Sequence, residues 1–253
     1  MAWPGRGPPW GEFIKTSPDV VIFPEMNPAN TPAIFELLSQ VRRTLGFQSW
    51  RPFTESDVEA RVVELLRNIW GSGRDWDVHD DTGQRRFGLK QPNAEELHED
   101  FAAVLGEFPT QWVYAIRNPA DVYNSTLRME NWADFEPEAF QARYEKSLRI
   151  AHKLYASCDL FVFDVDRTGR DPVARKQQAA DLFGFLGLEP TNRTEEFLDE
   201  WPTVNASGGA NRGSLPEEEI ARRVAKFSES DEYGRLWGMA HNLRAVVLGP
   251  VPD

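Results

Sequence analysis

A chain of 253 residues with a formal net charge of -12 and a single cysteine fits one large α/β domain and excludes an internal disulfide framework. The acidic balance argues against non-specific nucleic-acid binding, which draws on many Lys and Arg contacts, and leaves any anionic ligand to a locally built site. No segment approaches the ~20 apolar residues that span a bilayer, and Met1 to Pro9 lacks the apolar core of a signal peptide. The expectation is a cytoplasmic protein with neither a nucleic-acid nor a membrane partner.

Short apolar runs alternate with helical patterns along the chain. Val20-Val21-Ile22-Phe23 is β-branched and closed by Pro24. Thr31-Pro32 opens a helix to about Leu45, with Pro32 in the first turn. Ser56 to Glu59 reads as a capping box ahead of Val62, Val63, Leu65, Leu66 and Ile69. Gly71 to Gly83 is a polar, acidic loop, and Arg86 to Lys90 is a short strand. Asn93 and Glu96 start a helix to about Leu105.

Trp112 to Ile116 is the clearest buried strand, followed by helices from Pro119 to about Met129 and from Pro137 to about Ser157. Cys158, between a helix and the strand Leu160 to Phe163, is expected to be a small buried thiol. Asp171-Pro172 opens a helix ending at Leu186, with Gly187 as its cap. A glycine-rich loop, Asn205 to Gly213, precedes a last helix from Pro216.

Strands alternating with helices imply a mainly parallel sheet covered on both faces, a three-layer α/β domain. Ligands in such sheets bind beyond the C-terminal strand ends. That rule points to Glu25, Lys90, Arg117 and Asp164-Val165-Asp166.

At one of these ends the residues build an anion site. Arg117 follows the strand, Asn118 caps the next helix and Pro119 fits its first turn. Free helix N–H groups and the positive dipole end would stand beside a guanidinium that can bind phosphate bidentately. Ser125, near the second turn, adds a hydroxyl donor. The same residues also fit a structural arrangement, in which Arg117 pairs with Asp121 and Ser125 is tolerated inside a helix.

The run Val113-Tyr114-Ala115-Ile116-Arg117-Asn118-Pro119, with Asp121 and Ser125, resembles the 3′-phosphate motif of the sulfotransferases that use 3′-phosphoadenosine 5′-phosphosulfate (PAPS). Ser17 to Glu25, Phe87 to Pro92, Phe161 to Asp164, Leu182 to Leu188 and Asn211 to Leu215 resemble further family segments in the same order, over about Pro4 to Arg235. The resemblance implies a single P-loop nucleotide-hydrolase-like domain over residues 1–253. It implies PAPS as co-substrate, no metal, and in-line sulfuryl transfer to a hydroxyl or amine of a small molecule or glycan. Arg117 and Ser125 would hold the 3′-phosphate, and Arg212 and Gly213 would reach the nucleotide. Glu25 would be the base, and Lys90 would steady the sulfuryl oxygens or the acceptor.

The family's loop for the 5′-phosphosulfate has Trp3-Pro4-Gly5-Arg6-Gly7-Pro8-Pro9-Trp10 at its place, where Arg6 and Gly7 are the candidate contacts. Pro8 and Pro9 stand where the family has hydroxyl residues, and each removes a backbone donor. Residues 1–16 thus read as a degenerate or truncated first strand and loop. Two accounts compete: a displaced start, or a diverged, non-catalytic nucleotide-binding or interaction protein of the same fold. A kinase-like P-loop is disfavoured because no G-x-x-x-x-G-K-[ST] occurs.

Asp75, Asp77, His79, Asp80 and Asp81 match no metal spacing and read as a solvated loop or an acceptor entrance. His98, His152 and His241 lie in helical patterns as structural residues. Trp50, Trp70, Trp76 and Trp132 suit either a pocket wall or the core.

Overall fold

The computed structural model describes residues 13–23, 31–46, 54–71, 86–89, 93–106, 109–129, 135–201 and 215–248. Strand β1 (Val20–Phe23) is followed by helices α1 (Thr31–Gly46) and α2 (Glu55–Gly71), then by β2 (Arg86–Leu89). After a 3₁₀ turn over Ala94–Leu97 come α3 (His98–Leu105) and β3 (Trp112–Ile116). Then follow α4 (Pro119–Leu127), α5 (Pro137–Ser157) and β4 (Leu160–Asp164). The remaining helices are α6 (Val165–Arg170), α7 (Pro172–Leu186), α8 (Asn192–Asp199), α9 (Glu217–Ser228) and α10 (Asp231–Leu248).

The protein is α/β and mostly helical, with parallel strand pairing throughout the described residues. The single larger sheet expected from the sequence is instead two separate two-stranded ladders there, β1–β2 and β3–β4. Val20 stands opposite Arg86, and Trp112 opposite Leu160. The Trp112 amide donates to Asp159 at 2.8 Å, so the peptide groups of Trp112, Tyr114 and Ile116 face β4. Those of Val113 and Ala115 lie on the opposite edge, where no described strand pairs with them. Likewise the Arg86 amide donates to Asp19 at 2.9 Å and commits Arg86 and Gly88 to β1.

Alternation along β3 and β4 sends side chains to two cores. Tyr114, Ile116, Leu160 and Val162 pack with Tyr123, Phe140, Leu148, Phe227 and Leu236 from α4, α5, α9 and α10. Val113, Ala115, Phe161 and Phe163 pack with Leu182, Phe183 and Leu198 from α7 and α8 and with Ile22 of β1. All five β4 residues are buried, which matches a strand covered on both faces. Each fully buried Leu or Phe contributes roughly 1.5–3 kcal/mol. A third core joins α1, α2 and α3 through Phe35, Leu38, Val62, Leu66 and Val104.

Several local expectations shift. The α2 box is built by Thr54 and Asp57 rather than by Ser56 and Glu59. The Asp57 carboxylate accepts from the Thr54 amide at 2.9 Å, and the Asp57 amide donates to the Thr54 hydroxyl at 3.2 Å. Asn93 makes no side-chain cap; it takes a left-handed turn at φ 56° and the chain enters a 3₁₀ segment. Helix α4 stops at Leu127, two residues before Met129. Cys158 is exposed, not buried, because α5 ends at Ser157 and burial resumes only at Leu160. Gly187 does cap α7 in the left-handed region, at φ 59°.

Candidate functional site

The C-terminal ends of β3 and β4 lie side by side, because Ile116 pairs with Asp164. Arg117 leaves β3 there. Asn118 then caps α4, its side-chain oxygen accepting from the Ala120 amide at 2.8 Å, and Pro119 occupies the first turn. On the neighbouring strand end, Asp164 caps α6 by accepting from the Asp166 and Arg167 amides at 3.1 and 3.0 Å.

Four charges meet at this edge. Arg244, from α10, is buried; its Nη2 donates to Asp164 Oδ1 at 3.0 Å, and its Nε lies 3.0 Å from Oδ2. The same Nη2 reaches Asp166 Oδ2 at 3.4 Å. Asp166 Oδ1 in turn lies 3.7 Å from Arg117 Nε. Two arginines therefore balance two carboxylates. Trp237 stacks on Arg244, with the guanidinium carbon 4.8 Å from the ring centroid. The Asp164 amide is satisfied by Gln178 of α7 at 3.1 Å.

The peptide group between Arg117 and Asn118 is held at both ends. Its carbonyl accepts from the Tyr144 phenol at 2.6 Å, and its N–H donates to Asp166 Oδ2 at 2.6 Å. Burial pushes the Asp166 carboxyl above the usual carboxylate range, against the pull of the Asn118 amide. Burial also drives the Tyr144 phenol well above its ordinary value, so it stays a donor through the neutral range.

These contacts correct the expected anion cradle. The Asn118 amide is taken by Asp166, the Ala120 amide by the Asn118 side chain, and Pro119 has no N–H. Two first-turn donors of α4 therefore serve protein groups, and the Asp121 amide is the one left without a hydrogen-bond partner among the described residues. Arg117 has Asp166 as its ion-pair partner rather than Asp121, whose partner is Arg170 at 3.9 Å. The Nη groups of Arg117 carry no hydrogen bond among the described residues, and its side chain is 30% exposed. Ser125 is half-buried on α4, and its hydroxyl has no hydrogen-bond partner among the described residues. Seven residues of helix put Ser125 about 10 Å along the axis from Asn118, on nearly the same face. A phosphate held by both would lie against the flank of α4, not at its tip.

Of the other sequence candidates, Arg6, Gly7, Glu25, Lys90, Arg212 and Gly213 lie outside the described residues, as do the acidic run Asp75 to Asp81 and Trp50, Trp76 and Trp132. The side chain of Trp70 does too. His98 and His152 meet backbone carbonyls of Glu95 and Met239 at 2.8 and 3.3 Å, and His241 packs edge-on to Trp237. Among the described residues no group of three His, Cys, Asp or Glu side chains is arranged to hold a metal ion, and no helix is long and apolar enough to cross a membrane.

The strand-end rule had already singled out Asp164 and Asp166. Tyr144 and Arg244 escaped it, because each sits in an unremarkable helical pattern and reaches the site only through packing. No known family profile and no curated protein matches this chain.

Proposed function

We propose that the chain is a P-loop-type, three-layer sulfotransferase domain that binds PAPS and transfers its sulfuryl group to a hydroxyl or amine of a small molecule or glycan in the cytoplasm. The observation that carries this reading is the β3–α4 junction. Arg117 leaves a parallel strand with its Nη ends uncommitted among the described residues, and Ser125, on nearly the same face of α4 as Asn118, offers a hydroxyl without a partner among them. Such a pair suits a phosphate that bridges a guanidinium and a hydroxyl. Glu25 would act as base and Lys90, with Arg6 and Gly7, at the sulfuryl end. Arg212 and Gly213 would complete the nucleotide contacts. No step needs a metal; catalysis would rest on positioning, charge stabilisation and proton transfer.

One sequence observation favours a second reading, a nucleotide-binding protein that does not transfer. Pro8 and Pro9 remove two backbone donors where a phosphosulfate cradle needs them. Calorimetric titration with 3′-phosphoadenosine 5′-phosphate (PAP) tests what the two readings share. Arg117→Ala and Ser125→Ala should each weaken binding by about tenfold or more; equal affinity in all three proteins would sink both. Transfer of labelled sulfate from PAPS to an acceptor panel then separates them, since PAP binding without turnover favours the second.

A further inference from the structure

We propose that Tyr144 and Asp166 are positioning residues that clamp the Arg117–Asn118 peptide group and so aim Arg117 at its ligand, with Arg244 holding Asp166 in place. The inference rests on the reading of Arg117 as a phosphate-binding residue.

The geometry is specific. A single peptide plane follows Arg117. Its oxygen is fixed by a phenol of α5 and its N–H by a carboxylate just beyond β4, each at 2.6 Å. Pinning that plane fixes the backbone torsion that orients the Arg117 Cα–Cβ bond. Asp166 acts a second time on the side chain, approaching Arg117 most closely at Nε. That contact engages the inner edge of the guanidinium and leaves the outer Nη pair for a phosphate. Arg244 closes the arrangement from α10: it is paired with buried Asp164 and reaches the Asp166 oxygen that accepts from Asn118. The charged groups facing Asp166 are thus Arg117 from the β3 end, Asp164 from β4 and Arg244 from α10, with Tyr144 of α5 beside them.

A clamp of this kind differs from simple packing in one respect. Its hold on the Asn118 amide should be restored by a side chain that keeps the acceptor, whereas its contact with Arg117 Nε needs the carboxylate. Asp166→Ala removes the acceptor, Asp166→Asn keeps one, and Tyr144→Phe removes only the hydroxyl and leaves the ring in the core.

The experiment measures hydrogen exchange at the Asn118 amide by NMR and PAP affinity by calorimetry on the full chain, with Arg117→Ala as control. Expected results are faster Asn118 exchange and about tenfold or more weaker PAP binding in Asp166→Ala and Tyr144→Phe, with Asp166→Asn keeping slow Asn118 exchange and binding PAP between Asp166→Ala and the wild type. Unchanged exchange in Tyr144→Phe overturns the clamp even if Asp166→Ala fails to fold. Faster exchange with undiminished PAP affinity overturns its role in aiming Arg117. If the wild type binds no PAP, the nucleotide reading fails; faster exchange with a displaced Arg117 Nε–H signal in Tyr144→Phe then still supports the positioning, and an unmoved signal overturns it.

Discussion

Arg244 and Asp164 form a two-contact ion pair across 80 residues of sequence, with Nη2 and Nε each 3.0 Å from a different carboxylate oxygen. Both side chains are buried, so neither charge has water to fall back on. Replacing Arg244 by Met leaves Asp164 unpaired and Asp166 with one guanidinium fewer. The expected loss is about 3–5 kcal/mol, read as a lower urea midpoint. The double variant Arg244→Met, Asp164→Asn should recover part of it. A loss under about 1 kcal/mol in the single variant would mean that the pair does not hold α10 against β4.

A second buried network lies beneath β3. The Tyr114 phenol and the Ser147 hydroxyl are 2.8 Å apart, and Ser147 donates to Glu95 Oε1 at 2.5 Å. With Ser147 committed to the carboxylate, Tyr114 is the donor to Ser147. Ser147→Ala therefore takes a partner from two buried groups at once and should cost about 1–3 kcal/mol in chemical denaturation. Ser147→Thr, which keeps a hydroxyl, should cost less.

Alkaline pH should unfold the protein through its tyrosines. Burial, followed by the charge of Glu95, pushes the Tyr114 phenol well above its usual 10.0. Burial raises Tyr144 in the same way. The unfolded chain releases these protons near pH 10 while the folded chain keeps them. Their contribution to stability is therefore complete below that pH and is lost as pH rises through the folded values. The denaturation midpoint should fall above about pH 10, with tyrosinate absorbance appearing together with unfolding. Tyr144→Phe should flatten the slope. Tyrosinate signals well ahead of unfolding would contradict the burial of both phenols.

On the acid side the sensitive group is Glu145, which joins α5 to α10. Hydrogen bonds from Arg235 at 2.6 Å and Arg149 at 2.5 Å hold its carboxyl down to about 2. The linkage is the reverse of the tyrosines: stability is present above the unfolded value of 4.5 and is lost as pH falls towards 2. The site is near the surface, so Glu145→Gln should lower stability at neutral pH by less than about 1 kcal/mol and should blunt the acid limb between those values.

Gly187 ends α7 at φ 59° and ψ 41°, a conformation that side chains with a Cβ resist. A Cβ there would stand 3.2 Å from Arg86 Nη2, in a guanidinium that also donates to the Leu186 carbonyl and to Gln111. Gly187→Ala should cost about 1–2 kcal/mol from the backbone alone. Combining it with Arg86→Ala should show whether the crowding adds to that. Equal losses with and without Arg86 would assign the whole effect to the backbone.

Much of the fold was legible because short-range rules decide it. Trp112 to Ile116 and Pro137 to Ser157 stand where the apolar pattern and, for the helix, Pro137 in the first turn place them, since φ/ψ preference and periodicity act within a few residues. Helices α6, α8 and α10 were not foreseen. Helix α8 begins on a box that pairs Thr191 with Thr194, a variant without the usual Glu or Gln, and its closing contact runs to Thr16 at 2.9 Å. The exposed Cys158 shows the same limit from the other side, because composition favours burial of a thiol and only the turn between α5 and β4 sets its exposure.

By itself the sequence determined that Arg117, Asn118, Pro119 and Ser125 stand at a strand-to-helix junction, because an apolar run, a cap and a proline are enough to dictate one. Only the tertiary structure decided what that junction offers a ligand. Asp166 takes the Asn118 amide from 48 residues away, Tyr144 takes the Arg117 carbonyl from 27, and Arg244 steadies Asp166 from 78. The helix tip, free on local reasoning, is thereby mostly occupied, and among the described residues the Asp121 amide, the outer edge of Arg117 and the Ser125 hydroxyl are what remain. Hydrogen-bond partners and counter-ions have no sequence period. They are chosen by which elements pack together, and buried charges then take whatever partner that packing brings within reach.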